Sequence, residues 1–490
     1  MYFVHVASEL APVAKVGGLG DVLYGLSKEL VRQGHTVEII LPKYDCLHYD
    51  ALKNLKVEQR EIWSYEGTSR YNNTIWSANV DGLKVLLIEP HHPLYYFSRG
   101  MIYGCPDDVD RFTYFSRATL EYLFKAGKHP HAIHVHDWHT ALIPVLYKEM
   151  YNALGYRTGG TVLTIHNMEH QGRCHPFNLS RSGLRAEMYL TPDKLQDPGD
   201  PKLINLLKGG IEYADKITTV SPTYEKEIQS APLGFGLEET LVKNHHKMKG
   251  ILNGIDEEFW GPEKDNLLVQ RYSTHEIAKN QLPKVLQGKF ENKKHLRTHL
   301  QLNDSDEPIV VSISRLVFQK SPELIKHAFE STVAKGAQCV ILGSTPSTSI
   351  QHEFENLHHE NGRVMLDYNE AMAHLIFAAA DMIVIPSKFE PCGLTQLIAL
   401  RYGTIPIARL TGGLADTVHD IDTSHSPLES RNGYTFKEAE VKDFEGALTR
   451  AINCYRQDPQ KWQTMMLNGM RQDFSWKRSA SEYLSVYQSL

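Results

Sequence analysis

Lys15-Val-Gly-Gly-Leu-Gly-Asp-Val22 (KVGGLGDV) lies between an extended apolar run, Tyr2 to Ala7, and a helical pattern from Val22 to Val31. A strand, a glycine-rich turn and a helix in that order point backbone N–H groups and the positive end of a helix into one small space. Gly17 and Gly18 offer no side chain to block a ligand, and Gly20 reads as a position whose backbone takes a shape closed to other residues. Lys15 adds a full positive charge at the mouth, so the arrangement suits an anion, a phosphate above all. The spacing departs from G-x-G-x-x-G and from the Walker loop. A structural tight turn is the competing reading of the same residues.

The chain around this stretch has 490 residues, long enough for two or three domains. Its 42% hydrophobic and 22% charged residues are those of an ordinary globular protein. A formal net charge of −6 argues against a bulk nucleic-acid or membrane-surface binder, so an anionic ligand has to be held by local cations. Six scattered cysteines with no C-x-x-C pair point to free thiols in a reducing compartment. Residues 1 to 7 lack a basic flank, which argues against a signal peptide. The longest apolar run, His374 to Pro386, is broken by Asp381 and is too short to span a bilayer. The expectation is a cytoplasmic protein.

Strand and helix patterns alternate along the first half. Strands are expected at His35–Leu41, Lys84–Ile88, Ala132–Val135, Thr161–Ile165 and Ile217–Val220, and a helix over Phe112–Ala126. This implies a parallel sheet covered on both faces. From Ile251 to Glu307 polar residues dominate, and the pattern predicts a connecting region with irregular helices. The alternation restarts with Ile309–Ile313, the helix Glu323–Lys335, Cys339–Leu342, Arg363–Leu366, Met382–Pro386 and Thr404–Ala408. The fold class is therefore α/β, with two Rossmann-like domains facing a cleft and ligands beyond the carboxyl ends of the strands.

The charged and glycine-rich motifs fall at such strand ends. His134-Val-His136-Asp137-Trp138-His139 offers three histidines and an aspartate. A metal site, a core-filling strand end and a polar cleft wall with Trp138 facing a sugar all fit it. His166 and Asn167, after the strand Thr161–Ile165, fit a substrate contact better than a merely structural one. Arg315 and Lys320 stand five apart at a sheet mouth and suit a diphosphate, the arginine as a fork and the lysine as a point charge. Glu390, in SKFEPCGLT, is read as a helix cap or as a group coordinating a sugar. Thr411-Gly412-Gly413 makes another glycine turn. Asp304-Ser-Asp306 and Asp420-Ile-Asp422 match D-x-D and are read as solvated surface.

Taken together, KVGGLGDV, HDWH, TIHN, VSPTY (Val220–Tyr224), GFGLE (Gly234–Glu238), NGID (Asn253–Asp256), SRL-x-x-QK, FEPCGLTQ and TGGLADTV resemble bacterial glycogen synthases and plant starch synthases. The resemblance implies the GT-B fold, with an N-terminal domain over 1–250, a C-terminal domain over 251–470, and a helix over 471–490 crossing back to the first. It implies retaining transfer of glucose from ADP-glucose to the non-reducing 4-OH of an α-1,4-glucan, releasing ADP, with no metal or other cofactor. By analogy Lys15, Gly17 and Gly18 contact the donor diphosphate and Asp21 holds that loop. Arg315 and Lys320 neutralise the leaving ADP, and Glu390 lies against the donor glucose. Asp137, Trp138, His139, His166, Asn167 and Asn253 line the sugar and acceptor side, and Tyr95 touches the glucan. Cys392, Gly393, Leu394, Thr395, Thr411, Gly412 and Gly413 complete the donor site. Two positions depart from the family pattern: Ser321 replaces a glycine, and Ile398 stands where some relatives carry a second glutamate.

Overall fold

The computed structural model describes residues 1–273, 282–367 and 369–490. The chain forms two compact units, Met1–Gly254 with Trp476–Leu490, and Ile255–Ser475.

In the first unit the strands are β1 (Tyr2–Val6), β2 (Thr36–Pro42), β3 (Lys53–Glu66), β4 (Ser69–Val80), β5 (Leu83–Pro90), β6 (Ala132–His136) and β7 (Thr161–Ile165). The short pair β8 (Arg173–Cys174) and β9 (Ile204–Asn205) follows, then β10 (Lys216–Thr219) and β11 (Met248–Gly250). The main sheet runs β11-β10-β7-β6-β1-β2-β5-β4-β3. From β11 to β5 all pairs are parallel. The central strands β6 and β7 are buried throughout, as a sheet covered on both faces demands, although β6 carries His134 and His136 and β7 two threonines. Chain order reverses between β1 and β6, and the crevice beyond their carboxyl ends receives KVGGLGDV from one side and HDWH from the other.

The expectation of a wholly parallel sheet is corrected at one edge, where β3, β4 and β5 form a long antiparallel meander. The register of β3 slips between Lys53 and Lys56, between Val57 and Gln59 and between Gln59 and Ile62. Asn54 and Glu61 have positive φ, so the strand never shows clean alternation in the sequence.

The C-terminal helix Trp476–Gln488 belongs to the first unit. A Cβ added at Gly25, on helix α1 (Gly18–Arg32), would sit 1.9 Å from the Trp476 indole nitrogen. The Tyr487 ring lies 4.4 Å from Phe3, and its hydroxyl meets His134 Nδ1 at 2.8 Å.

The second unit holds β12 (Ile309–Arg315), β13 (Gln338–Ser344), β14 (Gly362–Met365), β15 (Met382–Ile385), β16 (Ile405–Arg409) and β17 (Tyr434–Phe436), all parallel. Their order, β14-β13-β12-β15-β16-β17, is the 3-2-1-4-5-6 arrangement of nucleotide-binding sheets. Its reversal lies between β12, which ends at Arg315, and β15, which leads into Ser387–Glu390.

Part of the expected irregular connector, 274–281, lies outside the described residues. Residues 251–273 and 300–307 are irregular, but the stretch between is corrected by a regular helix, Leu282–His299. Its pattern is hidden because the buried face carries charge. Lys289 Nζ donates to the carbonyls of Ala378 and Tyr402, and burial pulls its ammonium down to about 7. Lys293 Nζ donates to Asp381 at 2.6 Å and Arg297 to Gln338 at 2.8 Å. Asp381, the break in the long apolar run, thus joins this helix to the sheet, its second donor being the Ile309 amide at 2.7 Å. No helix among the described residues is long and apolar enough to cross a membrane. All six cysteines are free thiols.

Candidate active site

In the first unit, α1 begins inside the glycine stretch, at Gly18, with Gly17 as its N-cap. Gly17 faces open space: a Cβ there would meet nothing within 4 Å. Gly20 is helical and needed for packing rather than for an unusual φ, since its Cβ would lie 3.1 Å from the Ala11 amide nitrogen. Lys15 Nζ pairs with Asp21 at 2.8 Å. The residue that sequence reasoning missed here is Glu9. Its buried carboxylate accepts the amides of Val16 at 2.7 Å and Gly17 at 2.8 Å on Oε2, and the Tyr103 hydroxyl at 2.8 Å on Oε1. A carboxylate at a helix N-terminus is stabilised there. It fixes the loop so that Lys15 and Gly17 stay at the surface. The available signal was an acidic residue just after an apolar strand, next to a glycine turn.

HDWH divides its duties. His134 and His136, alternate residues of β6, point into the core beside His5 of β1. Ring nitrogens of these three lie within 4.8 Å of one another. Both nitrogens of His134 are already engaged, by Tyr487 at 2.8 Å and by Thr164 at 2.6 Å. Asp137 turns away from this group, with φ +53, and accepts the His166 amide at 2.7 Å. Burial pushes its carboxyl up to about 7 against the pull of the His166 and Asn167 backbone amides. Asp137 therefore positions the TIHN loop. Trp138 is 8% exposed, and its ring is covered by Gly172, where a Cβ would fall 2.4 Å away. His139 packs on Tyr103, Phe112 and Trp138, and burial holds it well below the usual imidazole range.

Trp138 also lines a cleft of about 470 Å³ with Asp108, His170, Gln171, Arg173 and Phe235, of which only Phe235, in GFGLE, fell in a motif the sequence singled out. Asn253 Oδ1 is buried and accepts nothing among the described residues. Tyr95 stands 70% exposed on the loop after β5, and no hydrogen bond or ring contact joins it to the other candidates.

In the second unit, Lys320 Nζ pairs with Glu390 Oε2, which also accepts the Ser387 hydroxyl at 2.8 Å. Glu390 is no helix cap: the next helix starts at Thr395 and its carboxylate goes elsewhere. The loop that carries it is tied to the one carrying Lys320, since the Lys388 amide donates to the Gln319 carbonyl at 2.8 Å and Gln319 Nε2 to the Phe389 carbonyl at 3.1 Å. Arg315, at the exposed end of β12, has no carboxylate partner among the described residues.

The Thr411–Gly413 turn packs directly on the Glu390 loop. Cβ atoms at Gly412 and Gly413 would fall 1.9 Å from the Glu390 carbonyl oxygen and 2.0 Å from that of Cys392, so no larger residue fits without moving the acid. Gly393, at φ +73, makes the bend between Cys392 and the helix of Leu394 and Thr395. Asp420, read as solvated surface, is buried: Arg450 and the Thr435 amide outweigh the cost of burial and bring its carboxyl to about 2. Asp304 and Asp306 are exposed.

Ser321 shows what its departure from glycine does. It is buried at φ +53, ψ +67, with its hydroxyl lacking a partner. A left-handed non-glycine residue costs about 1–2 kcal/mol, and an unpaired buried hydroxyl adds to that. Part of the relief is lost through the greater chain freedom of glycine when unfolded. Ser321→Gly is expected to stabilise the protein by about 1 kcal/mol, or roughly 2–4 °C in Tm. A lower Tm by calorimetry would show that no strain resides there.

Similarity to known proteins follows the same division of the chain. The starch synthase catalytic domain matches residues 2–243, and glycosyl transferases group 1 match residues 297–465. A glycogen synthase of Protochlamydia amoebophila is 48% identical, covering 100% of this chain and 99% of that protein. Glycogen synthase 2 of Methylococcus capsulatus is 46% identical, covering 99% of each. The catalytic domain of starch synthase IV from Arabidopsis thaliana, solved bound to ADP and acarbose, superposes with TM-score 0.94 at 46% identity, covering 100% of this chain and 99% of that one. Two Rossmann-like units with cations and a carboxylate at their switch points are those of a glycosyltransferase of the GT-B fold. Within that class, the chain belongs to the glycogen synthase and starch synthase family.

Proposed function

We propose that the chain transfers glucose from ADP-glucose to the non-reducing 4-OH of an α-1,4-glucan with retention, in glycogen biosynthesis in the cytoplasm. The observation that carries this reading is the Lys320–Glu390–Ser387 group at the switch point of a nucleotide-type sheet, where β12 also ends at Arg315, a cation with no carboxylate partner among the described residues. Breaking a glucosyl–phosphate bond leaves negative charge on the nucleotide and positive character on the sugar. Arg315 and Lys320 receive the first. Cations preorganised at the developing charge do the work a divalent ion does in metal-using transferases.

Glu390, held by Lys320 and Ser387, faces the sugar as a stabiliser of positive charge, and departure and attack take place on the same face. Ile398 leaves no E-x7-E pair. The cleft beside Trp138 and the TIHN loop serves the glucan; the Arabidopsis relative is solved bound to ADP and acarbose. Incubation with labelled ADP-glucose and glycogen is expected to place label in chains that β-amylase releases as maltose. Label transferred only from UDP-glucose, or recovered as free glucose, would refute the reading.

A further inference from the structure

Four histidines meet at the carboxyl ends of three adjacent strands, and the transfer reaction as described uses only one of them. His5 lies opposite His134 in the β1–β6 register, and His136 lies opposite Thr164 in β6–β7, next to His166. Three of the rings form a chain. His5 Nδ1 lies 3.2 Å from His136 Nε2, and His136 Nδ1 lies 3.1 Å from His166 Nε2. His5 and His136 are fully buried and His166 half-buried. Among the described residues no carboxylate bonds to any of the three rings. Burial holds His5 and His166 down at about 3 and His136 well below the usual imidazole range, so all are neutral at physiological pH.

A neutral imidazole carries one proton, and each ring–ring hydrogen bond needs one. His136 therefore donates through one nitrogen and accepts through the other, and the chain has only two possible directions. If it runs inward, a proton must sit on His5 Nε2, which is buried with no partner. A buried N–H without an acceptor is among the rarest of unsatisfied groups. If it runs outward, His5 Nε2 is a bare lone pair, His5 Nδ1 donates to His136, and His136 Nδ1 donates to His166 Nε2. The His166 proton is then on Nδ1, the nitrogen that bonds to no described residue.

We infer that His5 and His136 are positioning residues that fix the tautomer of His166, so that it presents a neutral Nδ1–H donor to an oxygen ligand, a sugar hydroxyl on the proposed reading. The inference rests on that reading for the identity of the ligand alone. His166 is on this account a hydrogen-bond donor and no base at Nδ1. The inference assigns the three-histidine cluster no metal, His134 having both nitrogens hydrogen-bonded to Tyr487 and Thr164.

The test is the ¹⁵N ring spectrum of histidine-labelled full-length protein, which needs neither substrate nor mutation. The proton of His166 is expected on Nδ1, with the ring neutral from pH 8 to 5. In His136→Asn, whose amide nitrogen can replace the Nδ1 donor, the tautomer and most of kcat are retained. In His136→Leu the proton redistributes to Nε2, and kcat falls about tenfold or more while KM for the nucleotide sugar is unchanged. A His166 proton on Nε2 in the unmodified protein, an unchanged tautomer in a folded His136→Leu, or stoichiometric zinc in the purified protein would each overturn the inference. Correct tautomers in a protein that transfers no glucose would refute the proposed function and leave this inference standing.

Discussion

Arg315→Ala and Lys320→Ala are each expected to lower kcat by about 10²- to 10³-fold, the scale set by removing one preorganised group from a developing charge. The two variants differ in what they leave behind. Arg315 has no carboxylate partner among the described residues, so its removal takes away only what it does for the departing nucleotide, and Tm is expected to hold. Lys320 is paired with Glu390, which is 6% exposed. Its removal leaves a buried carboxylate with Ser387 as its one side-chain donor. Leaving such a group short of a partner costs about 1–3 kcal/mol, so Lys320→Ala is expected to lose several degrees of Tm as well as its rate. Lys320→Ala with Glu390→Gln recovers stability without recovering kcat. Steady-state kinetics and calorimetry on the three proteins decide the matter. Full activity of the Lys320 variant would remove it from the diphosphate site, and a rate that returned with Glu390→Gln would make its role structural.

Stability is expected to fall steeply between pH 6.5 and 5. His5, His134 and His136 are fully buried and neutral, with folded-state values far below the unfolded value of about 6.5. Below pH 6.5 the unfolded chain binds protons that the folded chain refuses. The stability that these groups contribute is present above pH 6.5 and is lost as pH falls. Each contributes a slope of about 1.4 kcal/mol per pH unit, so together they approach about 4 kcal/mol per unit.

Asp137 opposes them. Its carboxyl is raised to about 7, so the folded state takes up a proton there first and gains stability as pH falls, by at most one group's slope and less for its partial exposure. Carboxylates held low, such as Glu66 at about 2, add their own loss only below about pH 4.5. Burial raises the Glu66 carboxyl, but His92, Arg181 and Tyr96 outweigh it. Urea titrations at pH 7, 6 and 5, followed by tryptophan fluorescence, are expected to show the midpoint dropping at each step. A flat midpoint would mean that water or an ion reaches the three rings.

The parts of the fold that were legible are those whose periodicity is undisturbed. Val162 to Ile165 and Val310 to Ile313 are apolar but for one small hydroxyl residue each, Thr164 and Ser312, and read as buried parallel strands. β3 was illegible because three register slips break its alternation, and the helix Leu282–His299 because Lys289, Lys293 and Arg297 occupy its inner face with hydrogen-bonded charge.

Glycines and cations at strand ends are what made Lys15, Arg315 and Lys320 candidates. The Lys320–Glu390 pair joins residues 70 apart in the chain and could only be guessed. Glu9 was passed over because a carboxylate solvating two amides carries no signature beyond its position. Of the readings open for the histidine run of β6, the core-filling one holds for His134 and His136: residues two apart on a strand share a face, so both turn inward together while Asp137 turns out to the next loop.

The measurement that bears most directly on the whole account is the initial rate of glucosyl transfer from ADP-glucose to glycogen after removal of divalent ions by chelation and gel filtration. With excess EDTA present, the rate is expected to be unchanged, because on the proposed reading protein cations such as Arg315 and Lys320, and no divalent ion, receive the nucleotide. Loss of transfer in EDTA, restored by magnesium or manganese, would contradict it.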